Sequence, residues 1–465
     1  MGTAILTVAR QVAEWVVAFA VDQAPATVRH EAGRSLLDVV GVSLAGADHV
    51  ACRQLRALAA QQYGGGDCTV LGATHRGAAF AAALVNGTAA HVLDFDDVSY
   101  DGMVHASAVV WPAVLAAAEL ADSSGQLAFD AFVAAVEVHC ALGRAFTHGM
   151  FWRGFWTTGL LGSIAAAAGA AKAMALDVAA TTSAIEIAMA QASGMRVIVG
   201  TPMKAVACGL AAEAGVRAAL MAQAGIGGLG DVAGHRYGLA SLLNGGVLHA
   251  AEIARLGQYY VFDKAPMAFK LYPVCSYGQA AVEALQDALT ALGAPAARVR
   301  CEVPAEVLDN MPFAAPTSTT EAQFSVPFSL GAVLAFGSLA PSHLAAATIR
   351  DPRLVVALGK IEVSVASGAA ALALDGCSEA AVVTVTAVDG RSISSSVRVP
   401  TGMPQRPLSD ERLESKFYTC ADPVIGKPAA IALRRRIADL PALPRVRSLY
   451  DASAHCDRAA AISRQ

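Results

Sequence analysis

Charge is scarce in this sequence. Its 465 residues include 34 Lys and Arg against 38 Asp and Glu, a net charge of −4, and no basic stripe runs through it. Nothing here supports binding to nucleic acid, which needs clustered cations. Paired cysteines are missing too. The nine cysteines stand at 52, 68, 140, 208, 275, 301, 377, 420 and 456, never at the short spacing of a zinc or iron–sulfur site. They read as reduced thiols, mostly small core residues. Long apolar runs are the third absence. Although 55% of the residues are hydrophobic, runs such as SIAAAAGAAKA (163–173) are alanine-rich and broken by glycine or lysine. None reaches the roughly 20 strongly apolar residues of a membrane span, so no membrane partner is expected. The opening stretch MGTAILTVARQVAEWVVAFAVDQ carries charges at amphipathic-helix spacing without a cleavable signal pattern, and a cytoplasmic protein is expected.

What is there suffices for a large core and two or three domains. From 1 to about 265 the pattern is helical, with apolar residues at helical spacing in 112–122, 127–142 and 209–223. GGG at 64–66, GIGG at 225–228 and NGG at 244–246 mark turns. After Lys270 the texture changes. CEVPAEV (301–307), KIEVSVA (360–366) and AVVTVTA (381–387) alternate as strands do, and Asp389-Gly390 leads into SISSSVRV (392–399), which predicts a hairpin. Helical patterns at 278–292 and 325–336 lie between the strands, and helical character returns from Ser409 to the end. The expected architecture is mainly α. A large helical domain is built from both chain ends (1–267 and 403–465), with a smaller α+β unit (268–402) inserted. Clefts between such units commonly bind ligands.

Against this apolar background DFDDVSYDGMVHAS (94–107) crowds Asp94, Asp96, Asp97, Asp101 and His105 together. The segment follows the helical run 78–92 and precedes a helix that Pro112 is expected to open. It offers an acid or base, a charge to tune it and an imidazole titrating near neutrality. A solvated turn and a structural histidine are the plainer alternatives. Lys204 is the only charge between Arg196 and Glu213 and enters a small-residue helix. It can neutralise a carboxylate or an enolate, or simply snorkel out of a helix end. FKLYPVCSYGQ (269–279) brings Lys270, Tyr272, Cys275 and Tyr277 around a proline at the expected domain junction, where a plain hinge is the alternative.

The stretch HVLDFDDVSYDGMVHASAVVWPAVLAAAE resembles the signature of the MmgE/PrpD family. The resemblance continues through RGFWTTGLLGSIAAAAGAAK, GTPMKAVACGLAAEAGVRAALMAQAG, FKLYPVCSYGQAAVEAL, EAQFSVPFSLGAVLAFG and IRDPRL. The family includes 2-methylcitrate dehydratase, cis-aconitate decarboxylase and iminodisuccinate epimerase. The resemblance implies a helical domain from both termini, an inserted lid domain, a homodimer, and an interdomain site that requires no metal or other cofactor. Carried over by position, it implies that Asp94, His105 and Lys204 are catalytic and that Lys270, Trp156, Cys275, Tyr277 and Phe328 bind substrate. Several polar positions of the family are replaced here: Val98, Trp156, Ala207, Cys275 and Phe328 stand where threonine, three histidines and a tyrosine are common. The chain is therefore not a typical decarboxylase of that group.

The family's reactions make or quench negative charge at a carbon next to a carboxylate. A base must be placed there, and cations must stabilise the enolate-like anion. Asp94 with His105 suits the proton transfer; Lys204 and Lys270 suit the carboxylate and the developing charge. The resulting expectation is a cofactor-independent lyase or isomerase acting on an organic acid, with dehydration ahead of decarboxylation and epimerisation. The replaced positions point to a substrate with fewer carboxylates, or a bulkier one, than citrate-like acids. The alternative from another class is a ligand-binding pseudoenzyme with a degenerate site.

Overall fold

The computed structural model describes residues 6–146 and 149–450. Ten helices make up most of the first half of the chain: α1 (Val8–Ala18), α2 (Ala26–Gly46), α3 (Val50–Gln62), α4 (Ala79–His91), α5 (Ala106–Leu120), α6 (Gly125–Ala145), α7 (Gly149–Trp152), α8 (Thr157–Ala173), α9 (Val178–Gln191) and α10 (Met203–Gln223). Local sequence sets several starts. Thr7, Ser124 and Asp177 accept the N–H of Arg10, Leu127 and Ala180, capping α1, α6 and α9. Helix α5 begins at Ala106 and holds Pro112 in its interior, rather than opening at that proline. A mid-helix proline forfeits a hydrogen bond and crowds the preceding turn. Residues 106–119 are all buried, and that burial offsets the cost.

Helices α4, α8 and α10 meet almost without side chains between them. A Cβ on Gly87 of α4 would lie 2.9 Å from the Cα of Gly209, and one on Gly209 would lie 2.1 Å from the Leu84 carbonyl. A Cβ on Gly215 of α10 would meet Ala166 of α8 at 2.4 Å. This close approach fixes the antiparallel pair α4 and α10, so that the first turn of α10 lies beside the end of α4. Another backbone contact, Gly143 of α6 against Gly102, seats the loop after α4: a Cβ at Gly143 would fall 2.0 Å from the Gly102 carbonyl oxygen.

By length and composition α6 and α10, each 21 residues, could cross a membrane, and so could α2 with α3 if that bent pair is counted as one span. This corrects the expectation that no stretch is long and apolar enough. Isolated charges interrupt the runs in the sequence, yet the average over each helix stays apolar. In the fold most of α6 and much of α10 is covered by protein. Glu137 on α6 accepts the N–H of Val261 (2.7 Å) and of Phe262 (3.2 Å).

Between 224 and 265 only short helices form, 239–243, 250–254 and 261–264, so the helical expectation is too generous there. Positive-φ glycines at 225, 228, 230, 245, 246 and 257 break the chain. Of the GGG turn, Gly65 and Gly66 fall in a short strand, β1 (Gly65–Cys68), bridged to Gly77.

The segment 268–402 carries a mixed sheet of β2 (Ala296–Val303), β3 (Ile361–Val365), β4 (Ala381–Ala387) and β5 (Ser392–Val397), in the order β3-β2-β4-β5. The hairpin β4–β5 turns at Asp389-Gly390 and pairs Val385 with Ile393 and Val383 with Ser395. Alternation works as the sequence predicts, with Ala381, Val383, Val385 and Ala387 buried. Strand β2 stops earlier than expected: Pro304 has no N–H for the ladder, and 305–310 is a helix. Helices Gln279–Leu292 and Val326–Phe336 cover the sheet.

Two hydrophobic cores result. One joins residues from Val8 to Phe269 with residues from Leu408 to Tyr450, because helices Asp410–Ile425 and Lys427–Ala438 pack on α2. The other fills the sheet unit and takes in Val92, Leu93 and Phe95 from the loop after α4. That loop is therefore gripped by both cores. Any helical continuation past 450, and Cys456, lie outside the described residues.

Candidate functional site

Each of the four acids in the loop after α4 has a distinct place. Asp101 pairs with Arg144 and accepts the Tyr259 hydroxyl at 3.2 Å, anchoring the loop to α6. Asp94, Asp96 and Asp97 are 2%, 0% and 0% exposed, which excludes the solvated-turn alternative. The Val98 N–H donates to the Ala268 carbonyl (3.0 Å), and the Ala268 N–H donates back (2.9 Å). This bridge draws Lys270 alongside. A tight turn between Ser99 and Val104 then delivers His105 to the start of α5.

Asp94 holds a left-handed backbone, φ +48°, and its carboxylate lies between two ammonium groups. Lys204, from the first turn of α10, donates to Oδ1. Lys270 Nζ lies 3.1 Å from Oδ2 and donates to the Asp94 carbonyl at 2.8 Å. Burial alone would raise the Asp94 carboxyl, but Lys204 and Lys270 hold it well below the usual carboxylate range. Burial likewise opposes the charge on Lys270; Asp94 and then Asp96 reverse that and raise its pKa. Both lysines keep their heads buried instead of snorkelling out.

His91, at the last turn of α4, completes the cluster. Its Nδ1 lies 2.9 Å from Asp96 Oδ2, and its Nε2 lies 2.7 Å from Lys204 Nζ. Burial, together with Lys204, pushes this imidazole down to about 4 against the pull of Asp96, so the ring is neutral at physiological pH. Nδ1–H then donates to Asp96 and Nε2 accepts from Lys204. Lys204 thus spends one N–H on Asp94 and one on His91. Lys270 directs its N–H groups to the carbonyl and carboxylate of Asp94. Each ammonium has three N–H bonds, leaving one apiece for an incoming oxygen.

The ring of His105 is fixed from behind. Nδ1 lies 2.9 Å from the Asp97 carbonyl and 3.2 Å from Asp96, and the backbone N–H donates to Thr158 at 3.1 Å. A carbonyl oxygen only accepts, so Nδ1 carries the proton and Nε2 is free to exchange one. Asp96 therefore orients two imidazoles at once, and burial is outweighed by His91 and His105 in holding its carboxyl low. Asp97 accepts from Ser107 at 2.6 Å, and burial beside Asp38 pushes it up to about 7.

His91, Asp96 and His105 present ligand atoms within 4.8 Å of one another, a spacing a metal could use. The donor set does not fit one well. Both Nδ1 atoms are engaged as donors, and a lysine ammonium sits 2.7 Å from the remaining His91 nitrogen.

These groups form one end of a cavity of about 870 Å³, lined by Asp94, His105, Lys204 and Lys270 on the polar side. Trp156, Cys275 and Tyr277, positions that the family resemblance marks for substrate binding, also line it, and Val98 does as well. Trp156 packs 5.5 Å from the His91 ring. Burial pushes the Cys275 thiol up to about 11, which makes it a neutral wall group rather than a nucleophile. Phe328 is a correction: 1% exposed, it belongs to the core of the sheet unit and does not line the cavity. Ser325 caps the helix ahead of it and turns the chain, so that Phe324 faces the cavity instead, its ring 5.2 Å from Lys204 Nζ. Ala207 also stays outside the lining.

Sequence reasoning missed His91, Tyr100, Arg196, Phe324 and Glu379. His91 opens the stretch that carries the family resemblance and stands five residues before Asp96, a signal that was available. Glu379 comes from the loop before β4 and has no local signature.

Residues 10–249 match the MmgE/PrpD N-terminal domain, and residues 272–439 match the MmgE/PrpD C-terminal domain. Among curated proteins, the chain is 32% identical over 241 residues to a cis-aconitate decarboxylase-like protein of Aspergillus oryzae, a match that spans half the length of each. It is 26% identical over 446 residues to a cis-aconitate decarboxylase of Aspergillus terreus, 90% of each chain. With the cis-aconitate decarboxylase of Homo sapiens it shares 25% identity over 374 residues, 77% of this chain and 76% of that one.

Proposed function

Because the chain belongs to the MmgE/PrpD family, we propose that it is a lyase of the dehydratase or decarboxylase type acting on an organic acid, without a metal or organic cofactor. The observation that carries this reading is the grouping of Asp94, Lys204, Lys270 and His105 at one end of a single cavity. A substrate carboxylate takes the remaining N–H of each lysine. His105 Nε2 then faces the adjacent carbon and removes or returns its proton. The two ammonium groups stabilise the enolate-like charge that develops, in a buried setting where such stabilisation is strong. Expulsion of a β-hydroxyl completes a dehydration; in a decarboxylation, loss of CO2 leaves its electron pair on carbon and the proton returned by His105 completes the step.

The rest of the lining bears on the substrate. Val98, Met103, Trp156, Val199, Pro312 and Phe324 make much of the wall apolar. Two cationic positions, the Lys204–Lys270 pair and Arg196, beside this apolar wall suit an acid with one or two carboxylates and a hydrocarbon or aryl group better than a tricarboxylate. The α+β segment acts as the lid of this cavity, and a second copy of the chain is its partner. Exposed Trp152, Met195, Val197 and Leu242 support such a dimer; a monomer mass in light scattering at micromolar concentration would refute it.

The test of the lyase reading is proton NMR of the purified protein in D2O with a panel of hydroxy, unsaturated and amino acids bearing one or two carboxylates. Deuterium incorporation next to the carboxylate, with turnover of at least one compound, is the expected result. A ligand-binding pseudoenzyme would shift resonances on binding yet exchange no carbon-bound proton.

A further inference from the structure

Glu379 enters the same cavity from the sheet segment, whereas His105 enters from the helical body. It is 7% exposed, and its Oε2 accepts the Tyr100 hydroxyl at 2.6 Å. Tyr100 belongs to the loop after α4, so this bond joins the two parts of the chain across the cleft. Among the described residues no lysine or arginine is ion-paired with Glu379. The other groups facing it are Lys270, Ser276 and, more remotely, Tyr277. Nothing in the proton transfer at the α-carbon uses this carboxyl.

We propose that Glu379 is a second catalytic proton carrier of the cavity. In its acid form, with the side chain positioned by Tyr100, it protonates the hydroxyl that leaves the carbon β to the substrate carboxylate. The proposal rests on the lyase reading above and narrows it to dehydration of 3-hydroxy acids. The step balances. His105 Nε2 takes the α-proton, the C–H electron pair becomes the new π bond, and the C–O bond breaks with its own pair. The proton of Glu379 joins that oxygen, and water leaves. The imidazolium and carboxylate left behind reset by exchange with solvent. Decarboxylation needs a proton at carbon and none on a leaving group, so a second acid would be idle there.

Burial pushes the Glu379 carboxyl up to about 7, with Tyr100, Lys270 and Ser276 pulling the other way. The donor form is therefore populated at neutral pH, and dehydration should fall as pH rises through about 7. Suitable probes are 3-hydroxy-3-phenylpropanoate and 3-hydroxyoctanoate, followed by proton NMR in D2O and by absorbance of the enoate. Glu379→Gln keeps shape and an acceptor for Tyr100. It should dehydrate both probes about 10²–10⁴-fold more slowly, lose the alkaline limb of the kcat profile, and still exchange the α-proton at close to the wild-type rate. Tyr100→Phe removes a hydrogen bond that favours the ionised carboxyl, so its alkaline limb should move to higher pH. Circular dichroism and Tm establish that both variants fold. Wild-type dehydration with an unchanged pH profile in Glu379→Gln would overturn the proposal. So would parallel loss of exchange and dehydration, which would make Glu379 structural. Were the wild-type protein to exchange and convert no compound of the whole panel, the lyase reading itself would fail, and this proposal with it; turnover of an unsaturated acid but of no hydroxy acid would leave that reading standing and overturn this proposal alone.

Discussion

Replacing His105 with Asn lowers turnover by about 10²–10⁴-fold, the usual worth of a general acid or base, while the protein keeps its fold. The expectation follows from how the ring is held. Its backbone N–H caps onto Thr158, and Nδ1 faces the Asp97 carbonyl and Asp96. An asparagine amide can place an N–H near the Nδ1 position and keep those anchors, but it has nothing to offer at Nε2. The variant thus separates the proton carrier from the structural residue. Steady-state kinetics on the best substrate of the NMR panel, with circular dichroism of the variant, measure the difference. Rates near wild type would remove His105 from the chemistry.

Lys204→Met should act on binding, turnover and stability together. Methionine roughly keeps the length but takes away the ammonium, leaving Asp94 Oδ1 and His91 Nε2 buried without their donor. Losing one partner of a buried ion pair costs about 3–5 kcal/mol of stability, which a thermal or urea melt reads directly. Losing a stabiliser of developing negative charge costs about 10²–10³-fold in kcat, and KM rises because a carboxylate contact is gone. The pH dependence has a definite sign. Asp94 is depressed mainly by Lys204 and then by Lys270 against the opposing effect of burial. A depressed carboxyl stabilises the fold above its unfolded value near 3.8 and loses that contribution as pH falls. With Lys204 gone the depression shrinks, so the variant gains less on going from acid to neutral pH than the wild type does. Unchanged kinetics in this variant and in His105→Asn would dismantle the site.

Part of this was legible in the sequence. The β4–β5 hairpin announces itself through alternation and Asp-Gly, both local properties. The helices around Asp94 are legible by periodicity, but α5 starts six residues before Pro112 because burial, not propensity, decides it. Asp94, Lys204 and Lys270 converge from positions up to 176 residues apart. No local pattern encodes such a meeting; what hinted at it was charge appearing where the chain otherwise avoids charge, together with the family resemblance. Phe328 and Phe324 show the limit of alignment by position. They stand four apart, yet the cap at Ser325 separates them, sending one ring to a core and the other to the cavity. Tyr100 and Glu379 meet over 279 residues, and only the folded chain reveals the pair.

The glycine and alanine contacts among α4, α8 and α10 have an evolutionary side. Where Gly87 and Gly209 touch backbone to backbone, almost any replacement pushes two helices apart and displaces Lys204 with them. Val98, Trp156, Cys275 and Phe324 stand instead on loops and helix starts at the wall of the cavity, where a change of side chain alters the shape offered to a substrate without forcing two helix backbones apart. Descendants of such a fold can acquire new substrates by rewriting a few wall positions. The helix crossings should tolerate few replacements, and mutational tolerance along the gene should rise and fall accordingly.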